Sequence, residues 1–302
     1  MKKKILITLG LLFSVFLLAG TAYGFYLYKS VTDTVSEIHE PIERVTEKRE
    51  EEVDVDNREP LSFLITGVDS RGDHHSGRSD TIIVMTVNPE EQSVKMLSIP
   101  RDTRTDIIGR GTVDKINHAY AFGGVQMAMD TVEHFLDIPI DHYVSINMEG
   151  FKGLVDALGG VQVNNSFAFS INGHTFPEGE LFLSGEEALA YSRMRKEDPR
   201  GDFGRNDRQR EIVEAVIQEG AQISSITRVG SILNEVGKSV RTDLDLDGMW
   251  KIQDKYRDAR HNVEQLEIKG NGTRMNGIYY LEIPDEERNR VRLELRSHLN
   301  LH

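Results

Sequence analysis

The sequence predicts an α/β domain, with a mixed central sheet and helices on both faces, held to a membrane by a single N-terminal helix. Three observations carry this. An uncharged apolar run stands near the N-terminus; strand-like runs alternate with helical apolar spacing after residue 60; and 38% hydrophobic residues in a chain of 302 suffice for a packed core.

The elements follow in order. Residues 5–28, ILITLGLLFSVFLLAGTAYGFYLY, carry no charge and, at about 1.5 Å per residue, cross a hydrocarbon core of roughly 30 Å. Lys2, Lys3 and Lys4 precede them and acidic sequence follows, so the positive-inside tendency puts residues 1–4 in the cytoplasm and the rest of the chain outside. Tyr23, Phe25, Tyr26 and Tyr28 cluster at the outer end, as an interfacial aromatic belt does. A cleaved signal peptide is the alternative, but the run is long for one and no small-x-small site follows. Residues 29–60 are charged and end at Pro60; they read as a helical or flexible solvated stalk.

Residues 61–302 read as one extracytoplasmic domain. LSFLITGV (61–68) is a buried strand by its β-branched and aromatic content. TIIVMTV (81–87) and SVKMLSI (93–99) are strands joined through NPEEQ as a hairpin. GGVQMAMDTVEHFLD (123–137) has helical spacing at Val125, Met129, Val132 and Leu136. HYVSIN (142–147) is a strand, MEGFKGLVDALGG (148–160) a helix stopped by two glycines, and GVQVN a strand. EIVEAVIQEGAQI, the stretch 224–236 and LDGMWKIQDKYRDA read as further helices.

Composition narrows the chemistry. The chain has no cysteine, which removes disulfides, zinc–thiolate sites, iron–sulfur clusters and thiol nucleophiles. Beyond residue 29 it carries 32 basic against 49 acidic residues, a formal charge of −17. That balance argues against a general nucleic-acid binder, and any anionic ligand requires a local basic site. No G-x-S-x-G, P-loop lysine or H-E-x-x-H signature is present.

Three segments hold candidate chemistry. In GVDSRGDHHSGRSDT (67–81), Asp69 and Asp80 end one strand and begin the next, with Arg71 and Arg78 between. Paired carboxylates suit a hard cation such as Mg²⁺ completed by phosphate, and equally describe a turn with surface ion pairs. His74 and His75 read as exposed loop residues. In SIPRDTRTD (98–106), Arg101 and Asp102 sit at a strand tip, either as a phosphate-gripping fork or as a loop-fixing pair. Lys115 of KINHAY is a candidate phosphate contact, and Asn117 and His118 are candidates for loop hydrogen bonds. The third segment, residues 187–217, packs seven bases against four acids between Arg193 and Arg210. Arg193 and Arg195 share one face of an extended segment, while Arg205 and Gln209 stand four apart at a helix start above Val213. Clustered arginines in an acidic domain point to a di- or polyphosphate.

SIPRDT, KINHAYAFGG, LVDALGGV and YSRMRKEDPRGDFGRNDRQR together resemble the LytR-CpsA-Psr family of Gram-positive cell-wall proteins, densely over residues 61–220. The resemblance implies an α-β-α sandwich with a hydrophobic pocket for a polyprenyl tail. It implies a phosphotransferase that moves a glycopolymer, such as wall teichoic acid, from undecaprenyl diphosphate to the muramic acid 6-hydroxyl of peptidoglycan, at the plasma membrane. It implies Mg²⁺ (or Mn²⁺) linked to Asp69 and Asp80, and a diphosphate held by Arg101, Arg193, Arg195 and Arg205, with Gln209 beside them. Asp202 matches an acid of the same loop, and Lys115 falls in the family's lysine motif. Asp102 or one of the site aspartates is the candidate base for the sugar hydroxyl. Two other readings share these residues: a polyprenyl-diphosphate hydrolase, and a non-catalytic polyprenyl-phosphate-binding module.

Overall fold

Alternation along the first strand organises the domain. In β1 (Leu61–Val68), Leu64 and Val68 face one buried cluster, whereas Leu61, Phe63 and Ile65 face another. The computed structural model describes residues 21, 23–26, 28–42, 48–49, 53–70, 77–221, 232, 237 and 239–301. β1 pairs antiparallel with β2 (Ser79–Asn88), and β2 with β3 (Ser93–Ser98), through the expected hairpin. Its turn is built by Asn88, whose Oδ1 accepts the Glu90 and Glu91 amides at 3.0 Å each.

A hairpin of β4 (Arg104–Ile107) and β5 (Thr112–Lys115) leads into α1 (His118–Leu136). Then come β6 (His142–Asn147), α2 (Met148–Leu158), β7 (Val161–Asn165), β8 (Phe169–Ile171), β9 (His174–Phe176), β10 (Gly179–Leu183) and α3 (Gly185–Arg193). The chain continues through α4 (Asp202–Ala221), β11 (Val240–Thr242), α5 (Leu246–Tyr256), a 3-10 turn, β12 (Val263–Leu266), β13 (Asn271–Met275), β14 (Ile278–Glu282) and α6 (Asp285–His298). The central sheet has the order β11-β6-β1-β2-β3-β12. It is mixed: β1–β6 and β3–β12 are parallel and the other pairs antiparallel. Residues of α1 and α6 cover one face, and α5, the 3-10 turn and Val213 of α4 the other. A third cluster joins α2, α3 and α4 to β7. The α/β class with a mixed sheet is therefore what the alternation of strands and helices foretold.

Several expectations are corrected. The first long helix begins at His118 rather than Gly123, because it bends instead of starting there: Gly123 and Gly124 leave helical geometry, and Gly124 has a φ of +66°. The short hairpins β4–β5, β8–β9 and β13–β14, and the helix α6, lie outside the sequence reading. α6 reads DEERNRVRLELRSH and buries only Val291, Leu295 and His298, too sparse an apolar stripe to stand out. Arg193 does not lie on an extended strand with Arg195; it closes α3, and the chain turns extended only at Met194.

The solvated-stalk reading of 29–60 also changes. Its described residues pack on the domain: residues 28–38 are helical, and Val31, Val35 and Ile38 are buried. The Glu40 amide donates to the Thr242 carbonyl at 2.8 Å, Arg49 forks onto Asp141 at 3.0 and 3.1 Å, and Lys255 reaches Asp56 at 2.5 Å. Those partners stand 92 and 199 positions away, so a local reading of charge sees only a polar run. Of the predicted 5–28 anchor, residues 5–20, 22 and 27 lie outside the described residues, as does 224–236 apart from 232. Among the described residues no helix is long and apolar enough to cross a membrane.

His298 locks α6 to the sheet. Its ring is buried between Thr86 Oγ1 at 2.7 Å and Ser93 Oγ at 2.8 Å, and burial holds its pKa below the ordinary 6.5. The folded state therefore binds this proton more weakly than the unfolded one. The stability it contributes is complete above the unfolded pKa and is lost as pH falls through the folded pKa. We expect the unfolding midpoint of the full chain to drop between about pH 7 and pH 5, with a shallower slope in His298→Gln. Parallel curves for the two proteins would assign the acid sensitivity to other groups.

Candidate active site

The site begins at a defect in the β1–β2 ladder. Gly67 pairs with Thr81 and Val68 with Ser79, so Asp80 is the extra residue of a β-bulge. The close approach requires glycine: a Cβ on Gly67 would stand 3.0 Å from both Cβ and Oγ1 of Thr81. Past the bulge the Asp69 amide donates to the Arg78 carbonyl at 3.0 Å, bringing Asp69 beside Asp80 on one cavity. Arg71, His74 and His75 lie outside the described residues.

Arg101 enters from the tip of β3. A turn closed by the Thr103 amide on the Pro100 carbonyl at 2.9 Å presents it, and its Nη1 donates to Asp80 Oδ2 at 2.7 Å. Asn117 is buried and donates to Asp80 Oδ1 at 3.4 Å, so both carboxylate oxygens are engaged. Asp102 and Lys115 stand behind. Lys115 Nζ meets Asp102 Oδ1 at 2.6 Å, and Asp102 Oδ2 lies 3.8 Å from Arg101 Nε. Neither Lys115 nor Asp102 lines the cavity, so this pair braces Arg101 rather than touching a ligand there. His118 likewise turns away, to Asp114 at 2.8 Å.

The remaining arginines come from α3, α4 and the loop between them. α3 starts with a capping box, the Ser184 side chain against the Glu187 amide and the Glu187 carboxylate on the Ser184 amide. Beyond its end, the Met194 carbonyl accepts from Arg208 Nη2 at 2.6 Å, and Arg208 Nη1 meets Asp198 Oδ2 at 2.6 Å. This pair is almost fully buried, at 6% and 3% side-chain exposure, and the sequence reading missed it. Gly204 makes room for it: a Cβ there would lie 2.0 Å from Asp198 Oδ2. The run D-P-R-G-D-F-G-R carried that signal in its two glycines.

Three guanidiniums from this region, Arg193, Arg195 and Arg205, join Arg101 on one cavity of about 570 Å³. Arg193 Nη2 lies 3.9 Å from Asp69 Oδ1, and Arg195 Nη1 lies 3.7 Å from Asp202 Oδ1. Arg205 is only 6% exposed and meets Asp202 at 3.0 Å. Burial pushes its pKa down, Arg101 and Arg195 push the same way, and Asp202 and Asp80 oppose them. Its Nε has no hydrogen-bond partner among the described residues. A buried cation with an idle donor, crowded by two others, is a receptor for an anion. Asp202 lies outside the cavity wall and serves as counterion. Gln209 lines the cavity one turn after Arg205 and is half-buried. Apolar side chains line the same cavity, among them Ile65, Ile146, Phe151, Leu189 and Val213.

Asp69 and Asp80 fit a two-carboxylate Mg²⁺ site. They are hard oxygen donors on one cavity, and among the described residues no group of three or more acidic or histidine side chains converges as a metal site. Mg²⁺ commonly takes one or two carboxylates and completes its shell with waters and substrate phosphates.

The LytR_cpsA_psr family model matches residues 25–297. The chain belongs to this family. It is 66% identical over 302 residues to the polyisoprenyl-teichoic acid–peptidoglycan teichoic acid transferase TagU of Halalkalibacterium halodurans, covering 99% of each chain. The crystal structure of Bacillus subtilis TagU is similar with a TM-score of 0.66 at 51% identity, over 80% of this chain and 97% of that one. A structure of TagT bound to LI-WTA is similar with a TM-score of 0.74 at 31% identity, over 87% of this chain and 100% of that one. Within this LytR-CpsA-Psr member, the motif arginines 101, 193, 195 and 205 meet at the cavity, while Lys115, Asp102 and Asp202 form its supporting layer.

Two substitutions separate binding from scaffold. Arg205→Ala should weaken diphosphate binding about tenfold to a hundredfold, the worth of a charge-assisted contact, with Arg205→Lys restoring part of it. Asp198→Ala strands Arg208 and should cost about 3–5 kcal/mol of stability in denaturant unfolding. Equal stability losses in both variants would contradict this division of roles.

Proposed function

We propose that the chain is a phosphotransferase of cell-wall assembly, moving a glycopolymer such as wall teichoic acid from undecaprenyl diphosphate to a hydroxyl of peptidoglycan. One observation carries the reading: four arginines and a set of apolar side chains line one and the same cavity. A diphosphate matches the first and a polyprenyl chain the second. The relative from Halalkalibacterium halodurans is named a polyisoprenyl-teichoic acid–peptidoglycan teichoic acid transferase.

The chemistry follows from charge. Arg101, Arg193, Arg195 and Arg205 hold the diphosphate oxygens and offset the charge that builds on the leaving lipid phosphate. The acceptor hydroxyl oxygen attacks the phosphorus that bears the glycopolymer. The P–O bond to the lipid phosphate breaks, and its electron pair departs with polyprenyl phosphate. The hydroxyl proton passes to a cavity carboxylate; Asp80 is pinned by Arg101 and Asn117, whereas the Asp69 carboxylate is 53% exposed and lies 3.9 Å from Arg193. Asp102, paired with Lys115, keeps Arg101 in place. Bound Mg²⁺ or Mn²⁺, held by Asp69 and Asp80, would supply Lewis-acid neutralisation of the diphosphate. The apolar wall excludes water, which favours a sugar hydroxyl over hydrolysis.

The same reading puts the protein in the cell membrane as a single-pass chain, N-terminus inside and domain outside. Its support is the uncharged run 5–28 and the exposure of Tyr23, Phe25, Tyr26 and Tyr28, between 55% and 70%, at the outer end of that run. The helical stretch continues past it with Val31, Val35 and Ile38 buried.

Two experiments test this. Full-length protein incubated with a lipid-diphosphate-linked glycan and peptidoglycan oligomers should give the coupled product by mass spectrometry. Asp69→Ala and Asp80→Ala should each remove most activity and all response to EDTA, and the double variant should be no worse than either alone. Free glycan phosphate as the sole product would instead make the protein a hydrolase. For topology, protease added to intact protoplasts should digest the domain; its protection would place the domain inside.

A further inference from the structure

A second cavity, of about 700 Å³, lies against the other side of α4. Arg205, Gln209 and Val213 follow at four-residue spacing toward the arginine site, whereas Asp207, Glu211, Glu214 and Gln218 project toward this second cleft. Nothing in the reaction described above uses it.

Its lining has a distinct chemistry. Gln162, Asn164 and Ser166 are exposed at alternate positions along and just beyond β7, so their side chains form one polar row. Glu180 stands across from Asn164 in the β7–β10 pairing. The carboxylates are held singly rather than pooled. Asp198 pairs with Arg208, Glu211 accepts from Tyr191 Oη at 3.0 Å, and Glu214 accepts from Gln265 Nε2 at 2.8 Å. Among the described residues none of them belongs to a metal-holding group. Five carboxylates against the two guanidiniums of Arg200 and Arg208 leave the lining net negative. Arg208, which pairs with Asp198, is 5% exposed, and its buried Nε has no hydrogen-bond partner among the described residues.

Oriented amides and carboxylates with aromatic rings beside them are what a ligand rich in hydroxyls and acetamido groups requires, because each can satisfy a donor and an acceptor at once. The net negative lining repels a phosphate polymer. We propose that this cleft is the acceptor subsite, binding an uncharged N-acetylated saccharide of the kind that forms a peptidoglycan strand. The assignment rests on the transferase reading given above. The donor polyanion and the acceptor glycan are then sorted by charge to opposite sides of one helix. The loop 194–200 borders both cavities, Arg195 at one and Arg200 at the other. A helix with its side chains is about 10–12 Å across, so a sugar seated in the cleft has neighbouring units within reach of the arginines.

The test uses full-length protein in detergent micelles. The probes are a β-1,4-linked N-acetylglucosamine tetrasaccharide, a soluble phosphate-bearing teichoic acid and undecaprenyl diphosphate. Gln162→Ala/Asn164→Ala should weaken tetrasaccharide binding about tenfold or more, the loss of two hydrogen bonds, and leave undecaprenyl diphosphate binding within about twofold. Gln218→Ala, on the exposed flank of α4, is the second variant should the strand change disturb folding. Unchanged tetrasaccharide binding in both variants overturns the proposal. So does a wild-type protein whose cleft variants lose teichoic acid binding instead. The transferase reading fails separately: hydrolysis as the only reaction, with tetrasaccharide binding still lost in the variants, leaves a glycan site on a hydrolase. Full transfer by wild type with an unaltered acceptor KM in both variants leaves the transferase and removes the cleft.

Discussion

Four guanidiniums crowd one cavity of a domain that is otherwise strongly acidic, and carboxylates set between them hold their mutual repulsion in check. Asp80 meets Arg101, Asp202 meets Arg205 and Arg195, and Asp69 lies near Arg193. Three carboxylates against four guanidiniums neutralise the cluster only partly, and burial, reinforced by Arg101 and Arg195, holds the Arg205 pKa down. What remains is a standing demand for an anion, prepared before any ligand arrives. Such preorganisation is what charge stabilisation in phosphoryl transfer depends on.

The demand is sustained by a scaffold away from the cavity. The buried Asp198–Arg208 pair ties the loop after α3 to α4, so that Arg193, Arg195 and Arg205 share a target. Isolated, a buried ion pair contributes little net stability, since desolvation offsets its attraction. Its value here is positional. The Asp102–Lys115 pair plays the same part for Arg101, and the bulge at Asp80 for the carboxylates. Each supporting group lies one layer behind the surface that a ligand touches.

One helix borders two cavities. α4 turns Arg205 and Gln209 to the arginine-lined cavity and carboxylates and amides to the cleft on the other side. Its N-terminal half has almost no apolar stripe of the usual kind, because Arg205, Asn206, Arg208 and Arg210 occupy buried positions that apolar residues would otherwise take. Packing that much charge is tolerated because each head group finds a partner or borders a cavity.

Much of this protein was legible in the residues alone. The mixed α/β class followed from strand and helix periods, which are local properties. Arg193, Arg195 and Arg205 stood out because so basic a run is improbable in so acidic a domain, Arg101 because it sits at a strand tip, and Asp69 and Asp80 as paired carboxylates at strand ends. Sequence spacing misplaced Arg193 and Arg195 on one strand face, since nothing local shows that a helix ends between them. It also grouped Lys115, Asp102 and Asp202 with the ligand-facing residues, whereas the fold sets them behind the cavity as counterions. The charged segment before residue 60 looked solvated because partners such as Asp141 for Arg49 and Lys255 for Asp56 stand 92 and 199 positions distant. Residue type and period thus determined the fold class and singled out the arginines that gather. Which charges face the cavity and which restrain the others was decided only by tertiary structure, because pairing between distant side chains depends on their positions in space and leaves no trace in local sequence.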